Sequence, residues 1–284
     1  MQGHVLGGRY RLETPIGEGT MGSVWRAEHL TLGVPVAVKL VQAHSAQLPE
    51  ALARFEREAR LAARVRSAHV AHVLDYGVDR GHPYLAMEWL EGESVRARLT
   101  RQKRLSLVEV VELSTHVGRA LGAAHKLNLV HRDIKPDNVF IVDGEFGGPE
   151  TYKVLDFGVA KSADQLGLDS TAFMTKPGAL VGTPYYMSPE QALGEPVDFR
   201  ADLWALTVTI FECLVGERPF QDSTLRGLIG KVVSGSIPIP SQRVAGLPPA
   251  FDAFVAKGLS RDPASRFASA MELAREMAKV VFGG

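Results

Sequence analysis

Residues Asp202–Val215 are apolar on nearly every side of a helix, and that stretch constrains the rest of the chain. A helix without a polar face has to sit inside a shell of other elements, so the fold must wrap it. Its apolar centre, Leu203–Phe211, is about half of the roughly 18 residues a membrane span needs, so the shell is protein and not lipid. A chain of 284 residues can supply that shell as one large domain or two packed lobes. Lys plus Arg and Asp plus Glu each number 32, which argues against a nucleic-acid binder with a basic surface and against membrane contact through a polybasic anchor. The one cysteine, Cys213, excludes an internal disulfide and a cysteine-rich zinc site. Met1-Gln2-Gly3-His4 lacks the basic-then-apolar order of a signal peptide, so a cytoplasmic location is expected.

The residue pattern changes near Gly92. Before it, Arg9–Ile16 and Ser23–His29 alternate as strands about a glycine-rich turn, and Val34–Val41 is a β-branched run suited to a third. Pro49 opens a helical stretch to about Val65, and Val70–Tyr76 and Pro83–Glu88 read as further strands. The first hundred residues are therefore expected to be short strands with one helix. Ser106 to His125 carries its own helix start, with Ser106 as cap and Glu109 placed to reach back to it. Val130–Val154 reads as a loop and a small hairpin, while Ser162–Pro189 has little regular pattern. Ser188-Pro189 gives an N-cap and a proline at the first helical position, and two or three helices close the chain. The expected division is a strand-rich lobe over 1–90 and a mainly helical lobe over 91–284, with a hinge near Glu88–Gly92.

Three groups of residues carry chemistry. Gly17-Glu18-Gly19-Thr20-Met21-Gly22-Ser23-Val24 is a loop whose glycines let backbone N–H groups approach phosphate oxygens. A dinucleotide-binding βαβ unit shares this spacing, but here a strand and not a helix follows Gly22. Lys39 ends the run Val36-Ala37-Val38, and Glu58 falls among Phe55, Ala62 and Val65 on the apolar side of its helix. Such a carboxylate either finds a partner, for which Lys39 is the candidate, or edges into solvent. In His131-Arg132-Asp133-Ile134-Lys135-Pro136-Asp137-Asn138, Asp133 can accept a hydroxyl proton and Lys135 can neutralise a phosphate. Asn138 offers a neutral oxygen to a hard cation. Asp156-Phe157-Gly158 adds a second carboxylate twenty-three positions after Asp133, completing a set suited to Mg²⁺ and a polyphosphate. The nine histidines, His69 and His72 included, show no metal-ligand arrangement.

On these motifs the chain resembles the protein kinases, and in detail the bacterial eukaryotic-like Ser/Thr kinases. Gly182-Thr183-Pro184-Tyr185-Tyr186-Met187-Ser188-Pro189-Glu190 and Asp262-Pro263-Ala264-Ser265-Arg266-Phe267 extend the resemblance over nearly the whole chain. The resemblance implies an α+β fold: a small antiparallel-sheet lobe with one regulatory helix, and a larger, mainly helical lobe. It implies ATP as cofactor with Mg²⁺, or Mn²⁺ in its place. Lys39 would hold the α- and β-phosphates and pair with Glu58. Asp133 would be the catalytic base, Lys135 would touch the γ-phosphate, and Asn138 and Asp156 would hold metal. The nucleotide would also meet Ile16 and the loop Gly17, Glu18, Gly19, Thr20, Met21 and Gly22. Val24, Ala37 and Phe140 would sandwich the purine, with Met87 as gatekeeper and Glu88 and Leu90 backbone groups binding adenine. Glu190 and Arg266 would form a buried ion pair, and Asp202 would hold the catalytic loop's backbone.

Lys135 and Thr183 match positions that accompany Ser/Thr acceptors in such kinases, so the expected partners are proteins with Ser or Thr, this chain included, through a transient homodimer. Arg132 would receive a phosphorylated activation loop, for which Ser170, Thr171 and Thr175 are candidates, Thr171 or Thr175 foremost; the plain alternative is solvated loop residues. Thr207 stands where such kinases often carry glycine, so the packing there is expected to differ. Two rival readings stay open: a catalytically silent scaffold of the same fold, which intact Lys39, Asp133, Asn138 and Asp156 oppose, and a small-molecule phosphotransferase, which would lack the Gly182-to-Glu190 segment. If the chain continued into a membrane span, this segment would be tethered there.

Overall fold

The computed structural model describes residues 1–19, 22–41, 49–144, 147–157 and 184–283. These fall into two compact units: Met1–Arg66 with Ala71–Glu91, and Ser67–Val70 with Gly92–Phe157 and the described residues from Pro184 onward.

The first unit is a six-stranded antiparallel sheet and one helix. Its strands are β1 (Val5–Leu6), β2 (Tyr10–Gly19), β3 (Gly22–His29), β4 (Val34–Val41), β5 (Val73–Asp79) and β6 (His82–Glu88), in the order β1-β2-β3-β4-β6-β5. Alternation decides the faces. Val36, Val38 and Leu40 of β4 are buried with Leu6, Tyr10, Leu12, Trp25, Ala27, Tyr84 and Ala86 in one apolar cluster. Ala37 and Lys39 therefore point to the opposite face, where both are half-buried. The register sets Lys39 opposite Val24 of β3 and Leu85 of β6, and Ala37 opposite Met87. Gly22 closes the β2–β3 hairpin at φ 137°, a left-handed conformation, and any Cβ there would run into the backbone of Leu40. The helix α1 (Pro49–Ala62) buries Phe55, Ala59 and Ala62 and turns Arg57 and Arg60 to solvent; Glu58 is half-buried.

The second unit is built on the buried helix. A three-stranded antiparallel sheet of β7 (Gly92–Ser94), β8 (Val139–Val142) and β9 (Thr151–Val154) is joined by α2 (Val95–Gln102), α3 (Leu107–His125), α4 (Pro189–Leu193), α5 (Arg200–Val215), α6 (Leu225–Ser234), α7 (Ala250–Gly258) and α8 (Ala270–Phe282). The start of α3 is a capping box: Glu109 N donates to Ser106 Oγ at 3.2 Å, and Ser106 N donates to Glu109 Oε2 at 2.7 Å. Every residue of α5 from Ala201 to Val215 is buried. Thr207, at 0% exposure, donates its hydroxyl to Leu203 O within the helix. Its bulk is accommodated by Gly258 at the end of α7, where any added Cβ would overlap the Thr207 side chain. Among the described residues no helix is long and apolar enough to cross a membrane.

Two local expectations need correction. The first hundred residues hold a second helix, α2, which begins at Val95. Its inward residues are Val95, Arg98 and Leu99, so a buried arginine interrupts the apolar stripe. The strand expected from Val70 begins at Val73; Val70 instead makes an isolated parallel bridge to Val154.

Candidate active site

The chemistry-bearing loop of the second unit hangs from a buried carboxylate. Asp202, in the first turn of α5, is 0% exposed and accepts hydrogen bonds from Arg132 N at 2.7 Å (Oδ1) and His131 N at 2.9 Å (Oδ2). His125 Nε2 lies 2.8 Å from the same Oδ2. A buried charge needs such donors, and here they are the amides of the loop it fixes. Fully buried His131 reads both ways: Asp133 N donates to its Nδ1 at 3.2 Å, and its Nε2 faces Leu155 O at 2.8 Å. That pattern assigns the neutral Nε2–H tautomer, in keeping with the burial that lowers its pKa. Its ring meets Phe157 edge-on, with centroids 4.9 Å apart. The loop and the Asp156-Phe157 segment are thus stitched together, and Leu155 N adds a bond to Asn138 O at 2.9 Å. Arg132 (φ 62°) and Asp156 (φ 51°) both occupy the left-handed region, a conformation that costs about 1–3 kcal/mol per residue and persists where surroundings enforce it.

Within this frame two side chains converge on one carboxylate. Lys135 Nζ lies 3.0 Å from Asp133 Oδ2, and Asn138 Nδ2 donates to the same oxygen at 3.0 Å and to Asp133 O at 2.8 Å. Both donors fix the direction of the Asp133 side chain. Because its NH₂ is committed, the atom Asn138 can offer a cation is its amide oxygen. Among the described residues no group of three or more His, Cys, Asp or Glu could hold a metal by itself. The donor set of Asn138 and Asp156, one neutral oxygen and one carboxylate, fits a hard cation whose remaining ligands are phosphate oxygens and water.

A second anchor sits under α4. Arg266 donates from Nη1 to Glu190 Oε1 at 2.8 Å and from Nη2 to Oε2 at 2.7 Å, a bidentate pair with Arg266 fully buried. Burial pushes the Glu190 carboxyl up, but the bonds from Arg266 outweigh it and hold its pKa below the usual range. Gln191 of α4 reaches the loop, donating Nε2 to Arg132 O at 3.3 Å.

In the first unit, Lys39 and Glu58 are half-buried on β4 and α1, Met87 is buried on β6, and Val24 and Leu90 are half-buried. Ile16 is exposed on β2. Glu88 is fixed by His72, whose N donates to Glu88 Oε1 at 2.8 Å and whose O accepts from Glu88 N at 3.0 Å. Phe140 is half-buried on β8 of the second unit. Thr20, Met21, Gly158, Ser170, Thr171, Thr175 and Thr183 lie outside the described residues. The sequence reading missed Arg96 on α2, which contacts Asp137, Tyr186 and Glu212. No local pattern marks it, because its partners lie 41 to 116 positions away.

A carboxylate oriented by a lysine and an amide, on a loop bonded to the segment that carries a second carboxylate, suits phosphoryl transfer, and the two units are those of a kinase fold. The protein kinase domain family matches residues 10–278, and the chain belongs to it. It is 36% identical to the serine/threonine-protein kinase pkn3 of Myxococcus xanthus over 98% of this chain and 51% of that protein. It is 38% identical to the serine/threonine-protein kinase PknH of Mycobacterium tuberculosis over 94% of this chain and 41% of that protein. The chain thus spans about half or less of the length of these curated relatives. The crystal structure of the Mycobacterium tuberculosis PknI kinase domain superposes with a TM-score of 0.78 at 27% identity, covering 99% of both chains. The chain is a protein kinase domain, the curated relatives it matches are serine/threonine-protein kinases, and the family uses ATP with a divalent cation.

Proposed function

We propose that this chain transfers the γ-phosphoryl group of MgATP to Ser or Thr hydroxyls of proteins, itself included. The observation that carries the assignment of roles is the convergence of Lys135 and Asn138 on Asp133 Oδ2. Asp133 is the base: as the acceptor oxygen bonds to the γ-phosphorus and the bridge to the β-phosphate breaks, the hydroxyl proton passes to its carboxylate and ADP leaves. Lys135 neutralises charge on the transferring group. Asn138 and Asp156 would hold Mg²⁺, which when bound offsets the negative charge of the phosphates. In the first unit, Lys39, with Glu58 as its partner in this reading, would take the α- and β-phosphates, and the glycine-rich loop would supply backbone N–H groups to them. The protein's share is positioning and electrostatics, for which the Asp202 anchor pre-orders the loop.

Control rests on charge. Phosphate on Thr171 or Thr175 adds about −2 and three acceptor oxygens that Arg132 can receive, ordering the segment before Thr183. The acceptor in that step is a second copy met transiently, and the work is done on the cytoplasmic side, where ATP is available. Incubation with Mg²⁺ and radiolabelled ATP beside the Asp133→Asn variant tests the whole reading. Wild type is expected to label Ser or Thr, while the variant loses roughly 10²–10⁴ in turnover and still binds ATP. Equal turnover in the variant would overturn the base. Peptide mapping without phosphate between Ser162 and Thr183 in an active enzyme would overturn the control step.

A further inference from the structure

Arg96 of α2 joins three segments of the second unit. Its Nη1 donates to Glu212 Oε1 of α5 at 2.8 Å and its Nη2 to Oε2 at 3.3 Å. Nη2 also donates to the Tyr186 hydroxyl at 2.5 Å, and Nε to Asp137 Oδ2 at 3.3 Å. The Tyr186 hydroxyl in turn donates a hydrogen bond to Glu212 Oε2. From the other side Arg218 Nε approaches Glu212 Oε1 at 3.5 Å, and its guanidinium lies 4.1 Å from the centroid of the Tyr185 ring.

The placement is what gives this cluster a task. Asp137 directly precedes Asn138, whose amide orients the Asp133 carboxylate. Tyr185 and Tyr186 belong to the turn Pro184–Tyr186, which directly follows Thr183, the residue that the kinase reading assigns to the protein acceptor. The Glu212 side chain is 7% exposed, so its charge must be answered within the protein, whereas Asp137 is 46% exposed and open to an incoming peptide. Two carboxylates and two guanidiniums leave this end of the site neutral. Without Arg96 the same groups carry a net negative charge beside the acceptor.

Resting on the Ser/Thr kinase reading above, we propose that Arg96 is a positioning and selectivity-determining residue for the protein acceptor. It holds the Asp137 turn against Tyr186, and by neutralising Asp137 and Glu212 it keeps the site from favouring acceptors with cationic residues beside the Ser or Thr.

The test uses synthetic serine peptides, one neutral and a set bearing a single arginine at each flanking position, with KM for peptide and for ATP measured separately. Arg96→Gln is expected to raise the KM of the neutral peptide and to shift kcat/KM toward the arginine peptides, each by about five-fold, with KM for ATP unchanged. Arg96→Lys keeps the charge but not the fork, so it shares the raised KM and retains the wild-type preference. Asp137→Asn, at an exposed position that does not threaten folding, is expected to move the preference away from arginine. A uniform loss across all peptides, or a shift in Arg96→Lys equal to that in Arg96→Gln, overturns the proposal. If Arg96→Gln does not fold, an unchanged preference in Asp137→Asn overturns it instead. A wild type that labels no Ser or Thr peptide defeats the kinase reading as well, whereas an active wild type with unchanged selectivity in the variants defeats this inference alone.

Discussion

In the first unit Ala37, Lys39 and Met87 owe their positions to strand register over an apolar cluster, whereas in the second unit Asp133, Asn138 and Asp156 sit on loops held by buried charges. The contrast runs through the described residues. The buried polar and charged side chains among them, including His131, Glu190, Asp202, Glu212 and Arg266, all fall in the second unit. Ion pairs of the first unit, such as Arg11–Glu28 and Arg26–Glu13, lie at its rim. A sheet satisfies its own backbone groups and so needs no internal charge. A loop without a ladder must find partners elsewhere, and Asp202 supplies them to the amides of His131 and Arg132.

If buried charge organises the second unit, breaking one such pair should cost far more than any rim pair. Glu190→Ala leaves the Arg266 guanidinium buried with its bidentate partner gone, and is expected to lower stability by about 3–5 kcal/mol in chemical denaturation. The same pair sets a pH response. Because the folded pKa of Glu190 is depressed, its stabilising effect is present above the ordinary carboxylate range and is lost as pH falls through the folded value. A loss below about 1 kcal/mol in the variant would show that packing, not charge, holds α4.

The second expected effect tests packing within that unit. Gly258→Ala sets a Cβ against Thr207 and should cost about 1–3 kcal/mol. Adding Thr207→Ala should recover most of it, since the overlap is with the threonine side chain. Additive losses in that cycle would mean that the helix end, and not Thr207, resists the methyl group.

How much of this could be read from residues alone follows the same division. The strands of the first unit were legible because alternation is local: Val36, Val38 and Leu40 announce both their strand and its buried face. Helix α3 was legible through Ser106 and Glu109, three residues apart. Helix α2 was not, because Arg98 takes an inward position that an apolar residue would otherwise mark, spending its charge on Glu93 and Glu150. Val70 misled the strand reading because its partner, Val154, lies far along the chain and in the other sheet's neighbourhood. Asp133, Asn138 and Asp156 could be chosen from spacing, yet the donors that aim Asp133 and the Arg96 cluster depend on contacts that only the folded chain brings together.

Neutral groups can anchor a segment as well, and one in the second unit makes the contrast titratable. His116 Nδ1 accepts from Tyr152 N at 3.2 Å, and its ring stacks on His69 at 4.2 Å. Burial first, then the neighbouring His69 and Arg119, lower its pKa from 6.5 to about 4. The unfolded chain therefore binds more protons between those values, so stability rises with pH across that window and falls as the solution is acidified from 6.5 toward 4. His116→Asn keeps an acceptor near Tyr152 without the titration. Its stability profile, followed by thermal melting, is expected to be flatter than wild type over that range, and an unchanged slope would assign the acid sensitivity to other groups.

The smallest expected effect is the sharpest control. Arg26 donates to Glu13 at 2.7 Å, the same distance as the shorter contact between Arg266 and Glu190, but the side chains are 44% and 34% exposed against 0% and 6%. Water screens the rim pair and solvates either partner left alone, so Glu13→Ala should change stability by no more than about 1 kcal/mol, and less as salt is raised. The substitution matches Glu190→Ala in chemistry and the shortest contacts match in distance, which leaves burial and the second, parallel hydrogen bond of the Arg266 pair as the differences. Comparable losses in the two variants would mean that hydrogen-bond geometry governs both units alike. A several-fold larger loss for Glu190→Ala would tie the cost to a desolvated, doubly bonded guanidinium, which among the described residues occurs in the second unit.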